Sequence, residues 1–294
     1  MAEARIAFIG GSGLYRMPGL GDAEEVRVRT PFGAPSDSIV VGILEGQRVA
    51  FLPRHGRGHT LSPTDIPARA NIYALKTLGV ERIVSVSAVG SLQERIRPLH
   101  LMIPDQLIDR TRSRVNTFFT DGIAAHVGFA DPFCPALSGL LAGIARQQAT
   151  TTHVGGAYVA MEGPQFSTRA ESDLYRSWGA SIIGMTALPE AKLAREAEIC
   201  YATLALVTDY DCWHESEEEV SVELVIANLN KNVSVSQKVL KELISEIPAA
   251  RECACGSALA SAIITSPEHI ADKTRTRLSA IIGKYLKVPA GSAM

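Results

Sequence analysis

The apolar positions of the chain fall into two kinds of stretch. Short runs rich in Val and Ile predict strands at 5–9, 38–44, 48–52, 82–87, 101–108, 157–161, 181–185 and 202–207. Glu45-Gly46-Gln47 between the second and third run is a hairpin signal. Between these runs apolar residues recur three and four apart, which predicts helices at 64–78, 136–147 and 168–178, and one opening at Pro189. Thr64 or Asp65 can cap the first, and Gly79 and Gly179 close the first and third. Ser216 with Glu219 reads as a capping box before a long helix reaching about residue 247. Beyond Pro248 the period loosens into short helices near 257–264 and 275–286. With no internal repeat and no dividing linker, the alternation predicts one α/β domain, a central mixed β-sheet flanked by helices (1–248), with a C-terminal helical extension of the same domain (249–294).

Composition narrows the classes of partner. The 294 residues are 46% apolar, and 29 basic against 31 acidic side chains leave a net charge of −2. That balance gives no electrostatic reason to expect nucleic acid or an acidic membrane. No apolar run approaches the ~18 residues of a membrane span. Met1-Ala2-Glu3 leads almost at once into a strand, without the basic start and cleavage site of a signal peptide, so a cytoplasmic protein is expected. The odd count of five cysteines argues against a secreted disulfide scaffold. Cys253-Ala254-Cys255 can be a strained disulfide or a reduced pair, and no Cys/His spacing matches a zinc motif, so no structural metal is expected.

Candidate chemistry lies where strands end. Gly10-Gly11-Ser12-Gly13, Arg54-His55-Gly56 and Ser87-Ala88-Val89-Gly90-Ser91 each follow a predicted strand and place glycine beside a hydroxyl or a basic group. Glycine lets backbone N–H groups approach an anion, and the Arg54 guanidinium matches phosphate oxygens. Each loop alone reads better as a tight turn, and only their combination with Arg54-His55 points to an anion site. The first lacks both Gly-x-Gly-x-x-Gly and the Gly-Lys-Ser/Thr of a P-loop, which disfavours a dinucleotide or Walker site. Asp209 and Asp211 follow the last strand, and alternate residues of an extended segment point the same way. Such a pair can accept from an exocyclic amine and hold a proton for a ring nitrogen. Asp211 is as readily an Asx-type cap, and a metal site with nearby His214 lacks further ligands. His126 taken alone reads as a loop histidine.

Together, Phe8-Ile9-Gly10-Gly11-Ser12-Gly13-Leu14, Thr30-Pro31-Phe32-Gly33, Arg54-His55-Gly56-Arg57-Gly58-His59, Ala70-Asn71-Ile72, Glu162-Gly163-Pro164-Gln165-Phe166 and Thr208-Asp209-Tyr210-Asp211-Cys212-Trp213 resemble the 5′-methylthioadenosine phosphorylases of the trimeric purine nucleoside phosphorylase family. The resemblance covers roughly residues 5–247. It implies a phosphate site from Ser12, Arg54, His55, Ser87, Ala88 and Thr186, with Ser12 and Ser87 standing where many relatives have threonine. It places Met185 under the ribose, Phe166 and Ser167 beside the purine, and Asp209 and Asp211 on the purine edge. Val222, Val225 and Ile226 wall the 5′-methylthio pocket, and His126 reaches a neighbouring subunit's site. A homotrimer is implied, in some members paired into a hexamer.

The reaction so implied is phosphorolysis of 5′-methylthioadenosine to adenine and 5-methylthioribose 1-phosphate, with Asp209 acting on the leaving base and Asp211 supporting it. Inorganic phosphate is the co-substrate, and no cofactor is expected. An aspartate accepts from a 6-amino group but meets a 6-oxo group acceptor to acceptor, which favours adenine. The alternatives are a phosphorylase preferring methylthioinosine, inosine or guanosine, a nucleosidase using water, and a non-catalytic binding module.

Overall fold

The computed structural model describes residues 3–11, 17–214 and 221–287. Eleven strands form one sheet: β1 (Ile6–Gly10), β2 (Gly21–Val26), β3 (Ile39–Leu44), β4 (Gln47–Pro53), β5 (Arg82–Ser91), β6 (Leu101–Ile103), β7 (Gln106–Arg110), β8 (Thr152–Val154), β9 (Ala157–Met161), β10 (Ile182–Gly184) and β11 (Cys200–Asp209). The helices are α1 (Ala68–Thr77), α2 (Pro135–Ala145), α3 (Arg169–Ser177), α4 (Ala187–Glu196), α5 (Val222–Glu246), α6 (Asp272–Arg277) and α7 (Ser279–Ile282).

The predicted fold, a single α/β domain around a mixed sheet, is what forms. Its main path runs β2-β3-β4-β1-β5-β10-β9-β7, and β11 joins on β5 and leads through β6 to β8. β4, β1, β5 and β11 are mutually parallel, so their C-terminal ends share one side. β5 carries the irregularity that matters. Along one edge it pairs with β11 throughout, with a register shift between Val207 and Asp209. Along the other it changes neighbour, from β1 as far as Ser85 to β10 from Gly90. Residues 86–89 therefore have no strand beside them on that edge among the described residues. Backbone groups of alternate residues point to opposite edges. The Val89 carbonyl accepts from Thr208 Oγ1 toward β11, while the Val86 carbonyl accepts from Arg54 Nη1 on the open edge. By the same alternation the Ala88 N–H faces the opening.

Two large apolar cores cover the faces, beside a smaller cluster of Leu92, Val159, Tyr175, Ala180 and Ile183. One packs Ile72, Leu75 and Leu193 of α1 and α4 on the sheet, and takes Leu259, Leu278 and Ile282 from the C-terminal segment. The other packs Leu141 of α2 and Leu240 and Leu243 of α5 against Val84 and Leu204. Buried Glu198 receives the Leu259 N–H (3.0 Å) and the Tyr285 hydroxyl (2.5 Å), fastening the C-terminal segment to the domain. The amides of Asn228 and Asn232 donate to the Thr208 and Val207 carbonyls, so α5 is pinned to the end of β11.

Several local expectations shift. The residues expected as a loop after 82–87 continue as strand, because β11 and β10 supply partners through Ser91. The 101–108 run divides around Pro104-Asp105 into β6 and β7, which pair with different strands. α1 starts at Ala68 with no side-chain cap: Thr64 donates instead to Glu162 Oε1, and the Asp65 carboxylate takes the Ser62 hydroxyl. The capping box at Ser216 and Glu219 lies outside the described residues, and α5 is capped by Ser221, whose Oγ accepts from Leu224 N (3.2 Å). After Ala249 come 3-10 turns and two short helices rather than the longer pair expected. The polar strand β2, exposed and alternating in nothing, gave no apolar signal.

Candidate active site

A cavity of about 540 Å³ opens at the shared strand ends, between β5, β11 and the first turns of α5. Arg54, His55, Ser87, Ala88 and Thr186 line one part of it; Phe166, Met185, Asp209 and Asp211 another; Val222, Val225 and Ile226 a third. Three sequence-predicted residues are not among those lining it. Ser12 lies outside the described residues. Ser167 does not line the wall but stands directly behind it, hydrogen-bonding the Asp211 carboxylate and contacting Met161 Sδ (3.5 Å). His126 lies away from this chain's cavity, in the loop bridged to Ile263, with its N–H donating to the Ala262 carbonyl.

The anion end is built on a buried ion pair. Arg54 follows β4 and is 2% exposed. Its Nε donates to Glu190 Oε1 (2.6 Å) and Nη2 to Glu190 Oε2 (3.2 Å), with Ser85 Oγ and the Ile9 carbonyl also on Nη2. The fork expected to face a phosphate is thus turned to Glu190, because an unpaired guanidinium at this depth would be costly. Among the described residues Nη1 bonds only the Val86 carbonyl, so its second N–H has no partner among them. Glu190 is a residue that sequence reading missed. Its one signal is its position in the first turn after Pro189, where α4 becomes regularly helical past Leu188.

Four further groups complete this end. His55 Nδ1 lies 2.9 Å from the Leu61 carbonyl, so it carries the proton and donates, leaving Nε2 as an acceptor. Burial, with the Arg54 charge beside it, pushes the imidazole pKa down to about 4. Ser87 Oγ and Thr186 Oγ1 are 2.9 Å apart, bringing hydroxyls from β5 and from the α4 N-cap together. The Thr186 hydroxyl makes no cap bond of its own. With the Ala88 N–H on the open strand edge, these donors face the space where an anion fits.

At the opposite end Asp209 closes β11. Its Oδ2 accepts from Thr208 Oγ1 (2.6 Å) and its Oδ1 from the Asp211 N–H (2.8 Å). Asp211 takes a left-handed φ of 53°, so the pair is joined by a turn and not by the strand alternation expected. Burial raises the pKa of both carboxyls, against the hydrogen bonds that Asp209 accepts. Gly90 allows the contact, since a Cβ there would stand 2.8 Å from Asp209 Oδ1. Between the two ends, Met185 is braced by another missed residue: Arg114 donates to the carbonyls of Met185, Leu188, Met161 and Glu162. Gly163, at φ 65°, makes room for the Met185 thioether, which a Cβ would approach to 2.4 Å.

Distant sequence positions also meet elsewhere. The sulfurs of Cys134, Cys200, Cys253 and Cys255 all lie within 4.8 Å of one another. Local spacing, on which the expectation of no structural metal rested, gives no sign of this cluster.

The comparisons agree on one lineage. Residues 5–245 match the phosphorylase superfamily. The chain is 57% identical to the S-methyl-5′-thioadenosine phosphorylase of Koribacter versatilis, over 96% of this chain and 97% of that one. It is similar to the crystal structure of a methylthioadenosine phosphorylase from an antarctic soil metagenomic library, with a TM-score of 0.90 and 54% identity, covering 96% of this chain and 99% of the other. It also resembles the Schistosoma mansoni methylthioadenosine phosphorylase in complex with adenine, at TM-score 0.81 and 36% identity, over 85% of this chain and 93% of the other. With cavity, fold and likeness in agreement over nearly the whole length, the chain belongs to the phosphorylase superfamily and, within it, to the S-methyl-5′-thioadenosine phosphorylases.

Proposed function

We infer that this enzyme, a pentosyltransferase, cleaves 5′-methylthioadenosine with inorganic phosphate, giving adenine and 5-methylthioribose 1-phosphate. The observation that carries the reading is one cavity holding an anion cradle, an apolar wall and a buried carboxyl pair. Phosphate sits between the second Nη1 N–H of Arg54, the Ala88 N–H and the Ser87 and Thr186 hydroxyls, and the family resemblance adds the Ser12 hydroxyl to its ligands. A hydrogenphosphate ion has one O–H, and in this reading His55 Nε2 accepts it, which the Nδ1 contact with Leu61 supports. Held there, the anion stabilises an oxocarbenium-like ribosyl and then bonds C1′, so that a two-body attack becomes an oriented one. Electrons of the C1′–N9 bond leave with the purine. A raised pKa lets Asp209 keep a proton for N7, while Asp211 helps hold the base.

Phe166 and Ser167 flank the purine in this reading, Met185 supports the ribose, and Val222, Val225 and Ile226 enclose the methylthio group. Val222 and Ile226 are 58% and 51% exposed, a wall waiting for an apolar ligand. His126 reaches a neighbouring subunit's methylthio pocket in a homotrimer. Its position outside its own chain's cavity supports this, as do exposed Val115, Leu174 and Trp178, which suit subunit contacts. No helix of the described residues is long and apolar enough to cross a membrane, which fits an enzyme of the cytoplasm. The relatives' names do not favour a 6-oxopurine substrate. Adenine release from methylthioadenosine, measured with and without phosphate, is the test: release that persists undiminished without phosphate would make the enzyme a nucleosidase.

A further inference from the structure

Outside the cavity, four buried or half-buried thiols stand together without serving the reaction. Cys134 is the N-cap of α2, Cys200 is the first residue of β11, and Cys253 and Cys255 flank Ala254 at the start of the C-terminal segment. The Cys200 and Cys253 sulfurs are 3.3 Å apart, and all four lie within 4.8 Å of one another. A disulfide requires roughly 2.05 Å. A tetrahedron of sulfurs at the zinc–thiolate distance of about 2.3 Å has edges of roughly 3.8 Å, inside the observed range.

We propose that Cys134, Cys200, Cys253 and Cys255 form a closed thiolate site for a zinc-class divalent cation, which clamps the C-terminal segment to α2 and the start of β11. On binding, four S–H bonds give their protons to solvent and four sulfur–metal bonds form, with no change of oxidation state. The surroundings suit the resulting negative charge. The Leu137 N–H points at Cys134 Sγ (3.5 Å) from the α2 N-terminus, and the Arg251 guanidinium packs against Gly256, next to Cys255. Cys134, Cys200 and Cys255 are buried and Cys253 is partly exposed, which provides an entry edge. Four protein ligands leave no open position, so the role is structural and not catalytic. None of the four lines the substrate cavity.

The test uses the full-length protein, purified reduced and metal-free, and Co²⁺ as probe. One equivalent per chain should produce the visible bands and near-ultraviolet charge transfer of tetrahedral cobalt thiolate, and Zn²⁺ should abolish them. Reactive thiols should fall from five to Cys212 alone, and the melting temperature should rise. Cys253→Ser should weaken Co²⁺ binding at least tenfold and leave phosphorolysis unchanged below its melting point. Cys212→Ser should keep the cobalt spectrum. If Cys253→Ser does not fold, the titration of the parent protein decides. Absence of the spectrum there overturns the proposal, as does finding these cysteines in disulfides in protein alkylated at lysis.

Discussion

Replacing Glu190 by Gln tests how the anion end is held together. The carboxylate and the Arg54 guanidinium are each 2% exposed and share two contacts, at 2.6 and 3.2 Å. With charge centres ~4 Å apart and an effective dielectric constant of ~20, their attraction is about 4 kcal/mol. Glutamine keeps the shape but removes the charge. It also turns an N–H₂ group toward donors on Arg54 or toward the Tyr201 hydroxyl, which now donates to Oε2 (3.0 Å). Breaking one partner of a buried pair costs about 3–5 kcal/mol, which for a chain of this size is a fall in melting temperature of roughly 6–15 °C.

A specific signature separates this from ordinary core damage. The uncompensated Arg54 charge should bind phosphate more tightly in the variant. The gap in melting temperature should therefore narrow as phosphate is raised, by RT ln(1 + [phosphate]/Kd) in each protein. Thermal denaturation across a phosphate series, with the phosphate KM of each protein, measures both effects. A Glu190→Gln protein that melts within about 2 °C of the parent, or whose deficit is indifferent to phosphate, would refute the account.

Asp209→Asn should lower kcat/KM for methylthioadenosine by about 10²- to 10⁴-fold, read by adenine release. Its stability should move the other way. A raised carboxyl pKa means that the Asp209 contribution is present below the ordinary value and lost as pH rises through the folded one, so the variant should gain on the parent from about pH 4 upward in melting scans. His55 has the opposite sign. Its pKa lies near 4 when folded, so stability should be full above about pH 6.5 and fall by about 2 kcal/mol as pH drops toward 4 in phosphate-free buffer, and His55→Gln should flatten that fall. Gly163→Ala forces a Cβ at φ 65° onto Met185. It should cost about 1–3 kcal/mol in denaturant titrations and raise the nucleoside KM, and an unchanged KM would remove Met185 from the ribose site. Methylthioinosine should be turned over about a hundredfold less well than methylthioadenosine in a coupled phosphate assay.

What could be read in advance followed from the range of the physics involved. Apolar period located β1, β4, β9, β11 and α3 within a residue or two, because burial on a sheet or one helix face writes itself into consecutive positions. It failed on β2, whose residues stay polar at the sheet edge, and on 88–91, where glycine and serine resemble a loop until β10 and β11 pair with them. The phosphate-loop and base-reading residues were legible through resemblance, as motifs. Their electrostatics were not. Glu190 lies 136 positions from Arg54, and nothing local marks it as the acceptor that turns the guanidinium away from the cavity. The cysteine cluster is hidden for the same reason, since its members come from three separated segments.

The change of neighbour along β5 has one more consequence. A sheet normally closes its own hydrogen bonds with strands, but on the open edge at 86–89 the described residues close it with a side-chain donor, Arg54 Nη1 on the Val86 carbonyl. In the reading proposed above, the Ala88 N–H on the same edge donates to the anion in the gap. In the proposed enzyme, phosphate is then both a reactant and a missing piece of secondary structure, and each turnover removes and restores it. Exchange of the Ala88 amide with solvent should therefore slow when phosphate is present and quicken as product departs, which makes one backbone proton a reporter of the catalytic cycle.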